Sequence, residues 1–281
     1  ATICRREDGR WRCHVFITIR TEGTAMETVS HDGRTTAYRQ SATGSGPTIC
    51  YIHGAGGNHR IWAKQYGNPD TPPAVAPDLA GHGDSDDVST APGEETLEAY
   101  VDDVVAVCEA TSATALCGNS MGGAVALRIA LERELAIDRI VLADSGAKLA
   151  VDPDFLDTLA DDFETAMEIL HSPGTLFSDP TTELVDHSME AMRAAGQEVT
   201  QLDFETCDRF DVRDRLDEIE VPTLALCGED DPLTPPEFHE YLAEELPDGT
   251  YREIAGAAHM PMLEQPDAFD SAVGSFVGNS E

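Results

Sequence analysis

Residues 118–122 read Gly-Asn-Ser-Met-Gly, a G-x-S-x-G pentapeptide between the apolar run 113–117 and a helix-like segment at 123–134. That context permits few local structures. A serine on a tight turn from a buried strand into a helix holds its Oγ out at the sheet edge. Small neighbours let the backbone bend and keep the approach to that oxygen open. The helix that follows aims its N-terminal amides at any negative charge developing there. With the right partners elsewhere such a serine is a nucleophile; without them the pentapeptide is only a glycine-rich turn.

The surrounding pattern predicts an α/β fold. Asp32-Gly33 marks a hairpin between strands at 27–31 and 35–40. After a turn-rich linker at 41–47, strand-like apolar runs occupy 48–52, 74–76, 139–143, 223–227 and 250–254. Between them, Leu97, Tyr100, Val101, Val104, Val105 and Cys108 recur at helical spacing over 96–109, and further helices are expected at 237–246 and 267–276. Strands alternating with helices imply a mostly parallel central sheet with helices on both faces. From 148 to 221 the strand signal vanishes. Phe155, Leu159, Phe163, Ala166 and Leu170 keep helical spacing, a Ser-Pro-Gly break follows at 172–174, and helical patterns return at 183–195 and 204–216. This stretch reads as a helical insertion within one domain spanning 26–281, with additional core-covering helices as the alternative.

Composition bounds the setting. A chain of 281 residues with 41% hydrophobic content can bury a sizeable core. No apolar run approaches the roughly 18–20 residues that span a bilayer. The apolar stretch at 15–19 is too short for a secretory core, so a cytoplasmic location is expected. Seven cysteines without a C-x-x-C pair suggest neither a disulfide framework nor a metal site, and Cys50, Cys117 and Cys227 read as buried thiols. The charge is extreme, with 53 acidic against 18 basic residues, a net of −35, and Lys64 and Lys148 as the only lysines. Such a surface repels nucleic acid and anionic membranes, so neither is an expected partner.

The acids are spread through patterned elements rather than gathered in a tail, which fits a globular protein working in high salt. The composition resembles that of proteins from salt-accumulating archaea. At molar salt the screening length is about 3 Å, which removes most self-repulsion. Secondary structure should therefore be lost as salt is withdrawn in a circular dichroism titration; full ellipticity in salt-free buffer would refute this. Residues 1–25 break the pattern, with five arginines and three acids against 13 basic and 50 acidic residues in the remainder. They are expected to be an extension upstream of the natural start, non-native or disordered, with a genuine basic arm as the alternative.

Nucleophilic serine chemistry needs a base, a group to orient it, and donors for an oxyanion. The best base is His259, in a loop between the last strand and the last helix. The best orienting acid is Asp231, in Gly228-Glu229-Asp230-Asp231-Pro232. The donor loop is His53-Gly54-Ala55-Gly56-Gly57, after the strand at 48–52. Carboxyl ends of parallel strands share one sheet edge, so these loops can converge. His53 and His82 are expected to shape their own loops, and His59 to face the pocket mouth. His31, His171, His187 and His239 read as surface residues, and Asp102-Asp103 and Asp161-Asp162 as solvated helix faces. Without a following G-K-[ST], the glycines at 54–57 are no phosphate cradle.

Over nearly all of 26–281 the chain resembles the α/β-hydrolase superfamily. The HG-x-GG loop, the D-x-x-GHG-x-S stretch at 78–85, the G-x-S-x-G elbow and the late Asp and His loops agree in identity and order. The resemblance implies Ser120 as nucleophile, His259 as general base and then acid, and Asp231 as orienting carboxylate. It implies Ala55 and Met121 as oxyanion donors, with His53, Gly54, Gly56 and Asn119 contacting substrate. Asp144, after the strand at 139–143, is another place where this superfamily can carry the acid. The insertion at about 148–221 would be a lid, and no cofactor is required. A serine at the elbow argues against the dehalogenase and epoxide-hydrolase chemistries, which need a carboxylate there. The implied substrate is a small-molecule carboxylic ester or lactone. C–C bond hydrolases, haloperoxidase-like esterases and proline iminopeptidases are similar too, and a silent ligand-binding protein is the rival from another class.

Overall fold

In the computed structural model, which describes residues 26–41, 44–68 and 70–278 and the backbone of Thr2–Glu7 and Arg10–Val15, eight strands form one mixed sheet. They are β1 (Glu27–His31), β2 (Arg34–Ser41), β3 (Ile49–Ile52), β4 (Ala74–Pro77), β5 (Ala115–Asn119), β6 (Arg139–Ala143), β7 (Thr223–Gly228) and β8 (Gly249–Ile254). Their spatial order is β8-β7-β6-β5-β3-β4-β2-β1. The β1/β2 and β2/β4 pairs are antiparallel and all others parallel. Thr2–Glu7 and Arg10–Val15 pair with each other outside this sheet; the expected character of the 1–25 extension otherwise falls outside the described residues.

Local chemistry explains the elements. Asp32 and Gly33 both take positive φ, 46° and 79°, as a two-residue turn matched to strand twist requires. Every residue of β3, β5 and β7 is buried, because helices cover both faces of the parallel region. Within β3 the faces still alternate: Cys50 and Ile52 join the cluster with Val101, Leu116 and Leu127, whereas Ile49 and Tyr51 join Trp62, Val141 and Phe269. Fully burying each large aliphatic chain contributes about 1.5–3 kcal/mol. The covering helices are α1 (Glu94–Thr111) and α2 (Met121–Glu132) in the first cluster. On the other side of the insertion follow α7 (Pro236–Glu245) and α8 (Pro266–Gly278).

Between β6 and β7 the chain builds α3 (Pro153–Asp161), α4 (Phe163–Leu170), α5 (Thr182–Ala195) and α6 (Gln197–Arg209). The single periodic run at 155–170 is two helices, because Asp162 leaves helical geometry (φ −146°, ψ 85°) and its side chain caps α4 through the Thr165 amide. The expected helix at 204–216 stops at Arg209. Phe210 is extended and Asp211 bridges back to Lys148, which closes the base of the insertion before a short 3₁₀ turn at Arg213–Glu218.

Asp103 departs from its expected solvated face. It is fully buried and accepts from Thr36 Oγ1 at 2.7 Å, the Ala80 amide at 2.8 Å and Arg34 Nε at 3.1 Å. The helical period was right, but a buried carboxylate surrounded by donors looks the same in sequence as a surface one. Cys50, Cys117 and Cys227 are buried free thiols.

Candidate active site

The strand order reverses between β3 and β5, which leave their shared edge in the same direction; in open α/β sheets the crevice at such a point collects ligands. Ile52 pairs with Gly118, so the donor loop after β3 and the elbow after β5 emerge side by side. Ser120 sits between β5 and α2 at φ 54° and ψ −118°, a conformation disfavoured for a side-chain-bearing residue and held by its surroundings. Its amide donates to the Ala143 carbonyl at 3.0 Å, and its carbonyl accepts from Ser145 Oγ at 2.8 Å. Glycine is required on both sides of this turn. A Cβ on Gly118 would overlap the Gly122 carbonyl oxygen, and one on Gly122 the Ile52 carbonyl oxygen.

His259 Nδ1 donates to Asp231 Oδ2 at 2.9 Å, and both residues are almost wholly buried. This tautomer leaves Nε2 as the ring's free acceptor. Asp231 also accepts from Thr234 Oγ1 at 2.7 Å and from the Leu233 and Thr234 amides at 2.8 and 3.2 Å. Burial alone would raise its pKa, but the charge and hydrogen bond of His259, with the Thr234 and Leu233 donors, hold it below the ordinary carboxylate range. The His259 carbonyl accepts from Asn119 Nδ2 at 3.2 Å, tying the histidine loop to the residue before Ser120. Ser120, His259, Gly54, Ala55, Gly56 and Asn119 line one cavity of about 1250 Å³, together with side chains from α4, α5 and α6.

Of the two expected oxyanion donors, Ala55 lines this cavity and Met121 does not. Met121 opens α2 directly after Ser120, and the Gly123 amide of the same turn donates to the Ser120 carbonyl at 2.9 Å. In the donor loop the Gly56 amide donates to Asp203 Oδ2 at 2.8 Å and the Gly57 amide to the Gly54 carbonyl at 3.1 Å. His53 does not reach the cavity. It is fully buried, its Nδ1 donates to the Gly54 carbonyl at 2.8 Å, and its Nε2 accepts from the Leu79 amide at 3.1 Å. Burial and the neighbouring His82 lower its pKa to about 4, so it is a neutral brace. His59 lines the cavity, as expected, and pairs with Asp78 at 2.8 Å.

Two histidines expected at the surface are buried. His239 Nε2 accepts from the Ser145 amide at 2.9 Å, and burial lowers its pKa to about 4. It thus supports Ser145, which in turn holds the Ser120 carbonyl. His171 bonds the Met167 carbonyl and Ser188 Oγ inside the insertion. Sequence reasoning missed Asp203 and Thr234. Thr200, Asp203, Thr206 and Cys207 form a buried stripe at helical spacing on α6, a pattern legible once that helix is placed. Thr234 follows Asp231 by three residues, the spacing of a hydroxyl that turns back onto a carboxylate.

Asp144 sits at φ 48° after β6, fully buried, with Oδ1 accepting from the Gly228 amide at 2.8 Å. Among the described residues Oδ2 has no hydrogen-bond partner. Asp231, not Asp144, is the carboxylate bonded to His259. Burial first, and then the adjacent Asp231 charge, push the Asp144 pKa well above the carboxylate range. The native state therefore holds a proton that the unfolded chain releases above about pH 4. The stability this proton supports is full below that pH and falls by about 1.4 kcal/mol per pH unit until the folded pKa is reached. Asp144→Asn removes the penalty, so thermal melts at pH 4 to 8 should show the variant gaining on the wild type as pH rises. Parallel curves would mean that Asp144 ionises freely.

The sequence matches the alpha/beta hydrolase family over residues 51–272. The chain belongs to that family. Over 260 residues it is 30% identical to the pimeloyl-[acyl-carrier protein] methyl ester esterase of Neisseria meningitidis serogroup A, covering 85% of this chain and 79% of that relative. It is 26% identical to 3-oxoadipate enol-lactonase 1 of Acinetobacter baylyi over 258 residues, 88% of this chain and 95% of the other. Among solved structures, a thermophilic esterase superposes with a TM-score of 0.78 at 28% identity, covering 90% of this chain and 97% of its own. This alpha/beta hydrolase has no helix, among the described residues, long and apolar enough to cross a membrane.

Proposed function

We propose that this alpha/beta hydrolase is a serine hydrolase that cleaves small carboxylic esters or lactones, with Ser120 as nucleophile, His259 as base and Asp231 as orienting acid. The observation that carries the reading is the buried Asp231–His259 hydrogen bond, 2.9 Å long, with His259 lining the cavity that Ser120 also lines. The esterase and enol-lactonase names of the relatives support the bond class.

Ser120 Oγ attacks the acyl carbonyl while His259 Nε2 takes its proton, and Asp231 stabilises the imidazolium that forms. The oxyanion is held by the Ala55 and Met121 amides, each worth on the order of 3 kcal/mol of barrier. The leaving oxygen takes the proton from His259, and water, activated by the same histidine, then hydrolyses the acyl-enzyme. For a lactone the leaving oxygen stays attached to the acyl group, so the product is a single hydroxy or oxo acid. Helices α3–α6 act as the lid that excludes bulk water and shapes the acyl pocket. The acid-rich surface suits work at high salt.

A fluorophosphonate probe at molar salt tests the assignment. Wild type should label on Ser120, and Ser120→Ala should not label. Labelling that persists in the variant would displace the nucleophile, and an inert wild type would favour a ligand-binding role. A panel of acyl esters, lactones and aminoacyl amides then separates the bond classes.

A further inference from the structure

In so acidic a chain, a cation left without a carboxylate is informative. Thirteen Lys and Arg follow residue 25, and eight of them hold a carboxylate oxygen within 3.6 Å. Arg39, Arg60, Lys64 and Arg252 have no such partner among the described residues, and the first three line the candidate active-site cavity, whereas Arg252 does not. The Arg39 guanidinium stands 5.7 Å from the centroid of the Tyr66 ring, which lines the same cavity. Arg60 and Lys64 lie four residues apart on the helical segment that runs from His59–Trp62 into Ala63–Tyr66. Burial raises the Tyr66 pKa, and the charges of Arg39 and Arg60 oppose that rise, which places both cations near one phenol.

No carboxylate among the described residues neutralises these three charges, of which Arg39 is half-buried and Arg60 and Lys64 are exposed. Like charges at i and i+4 on a helix repel. An aromatic face attracts a cation but does not neutralise it. The nearby carboxylate of Asp78 is occupied by His59 and by the His59 and Asp84 amides. Asp84, Asp152 and Glu190 also line the cavity, but none forms an ion pair with the three cations. A cavity of about 1250 Å³ exceeds what a short acyl group fills, and Phe155, Leu184 and Met192 supply apolar lining.

We propose that Arg39, Arg60 and Lys64 form an anion subsite. It takes the distal carboxylate of a substrate whose ester or lactone carbonyl sits at Ser120, so the substrate class is the half-ester or lactone of a dicarboxylic acid. The assignment of bond class rests on the hydrolase reading above; the subsite itself does not.

Two measurements test it, at the lowest salt that keeps the protein folded. The first compares the monoethyl ester of adipic acid with the same ester whose free acid is a primary amide. Wild type should favour the anionic ester at least tenfold in kcat/KM, and Arg39→Gln combined with Arg60→Gln should bring that ratio near one. Lys64→Gln, at an exposed position, should lower it severalfold and serves if the double variant does not fold. Arg252→Gln, on β8 at the opposite end of the sheet, should leave the ratio unchanged. A wild-type ratio near one, a ratio indifferent to these changes, or preference for an amine-bearing ester would overturn the subsite. The second titrates adipate into the protein by calorimetry. Binding that weakens about tenfold in Arg39→Gln/Arg60→Gln supports the subsite even if neither ester is turned over, a result that would count against the hydrolase reading alone. Absence of adipate binding overturns the subsite whatever the turnover.

Discussion

Ser120→Ala is expected to lower kcat by about 10⁴- to 10⁶-fold on any ester the wild type accepts, with KM changed far less. That loss corresponds to about 5–8 kcal/mol of transition-state stabilisation. The size follows from how the site is built. Asp231 holds His259 in the tautomer that leaves Nε2 free, and neither residue has useful work without the oxygen it deprotonates. His259→Ala should therefore cost nearly as much, and the double variant hardly more than either single one. The residual rate would come from the proposed Ala55 and Met121 donors and from binding. The fold should survive, because the constraints on the elbow come from main-chain bonds to Ala143 and Ser145 and from Gly118 and Gly122, none of which needs the Ser120 hydroxyl. Single-turnover assays with matched circular dichroism spectra check both halves. Additive losses from Ser120→Ala and His259→Ala would mean that the two residues do not act as a unit.

The candidate site was legible in outline because its parts are local. A strand, a glycine-flanked serine and a helix follow one another in sequence at 115–132, and that order already fixes a tight turn at Ser120. Asp231 and His259 each follow a recognisable strand, so the rule that parallel strands share a carboxyl edge puts their loops on the sheet edge that carries Ser120. Sheet order within the fold, helix ends and the split at Asp162 came less easily, since a capping aspartate and a solvated one are the same letter. Buried polar residues were hardest. Asp103, His171 and His239 read as surface residues because their partners, Thr36, Ser188 and Ser145, lie 17 to 94 positions away. Asp203 went unnoticed for the same reason: its partners, in two loops and on α1, lie more than 100 residues upstream. Long-range donors leave no periodic trace, so burial of a charge has to be seen rather than inferred.

Asp203 is the residue through which the helical insertion should set both stability and rate. From α6 its carboxylate accepts from Tyr100 Oη at 2.5 Å, from His82 Nε2 at 2.9 Å and from the Gly56 amide at 2.8 Å, all fully or nearly fully buried. One side chain of the insertion thus ties together the HG-x-GG loop, the GHG loop and α1. Asp203→Ala strands three buried donors and should destabilise the protein by about 3–5 kcal/mol. For a domain of this size that is a fall in melting temperature of about 6–15 °C. With the Gly56 amide released, the Ala55 amide beside it loses its fixed aim, and kcat should drop by about 10- to 100-fold. Asp203→Asn separates charge from shape. Burial lowers the His82 pKa, but the Asp203 charge and hydrogen bond more than offset this, and the folded value is raised. The contribution of protonated His82 is therefore complete below about pH 6.5, its unfolded pKa, and is lost as pH rises through the folded one. The stability gap between wild type and Asp203→Asn should narrow across that window, whereas the gap to Asp203→Ala should stay open, because the stranded amide and phenol do not titrate there. Thermal melts of the three proteins from pH 5 to 9, paired with ester turnover, give both readouts. An Asp203→Ala protein with wild-type melting and wild-type kcat would mean that the insertion does not brace the oxyanion loop through this carboxylate.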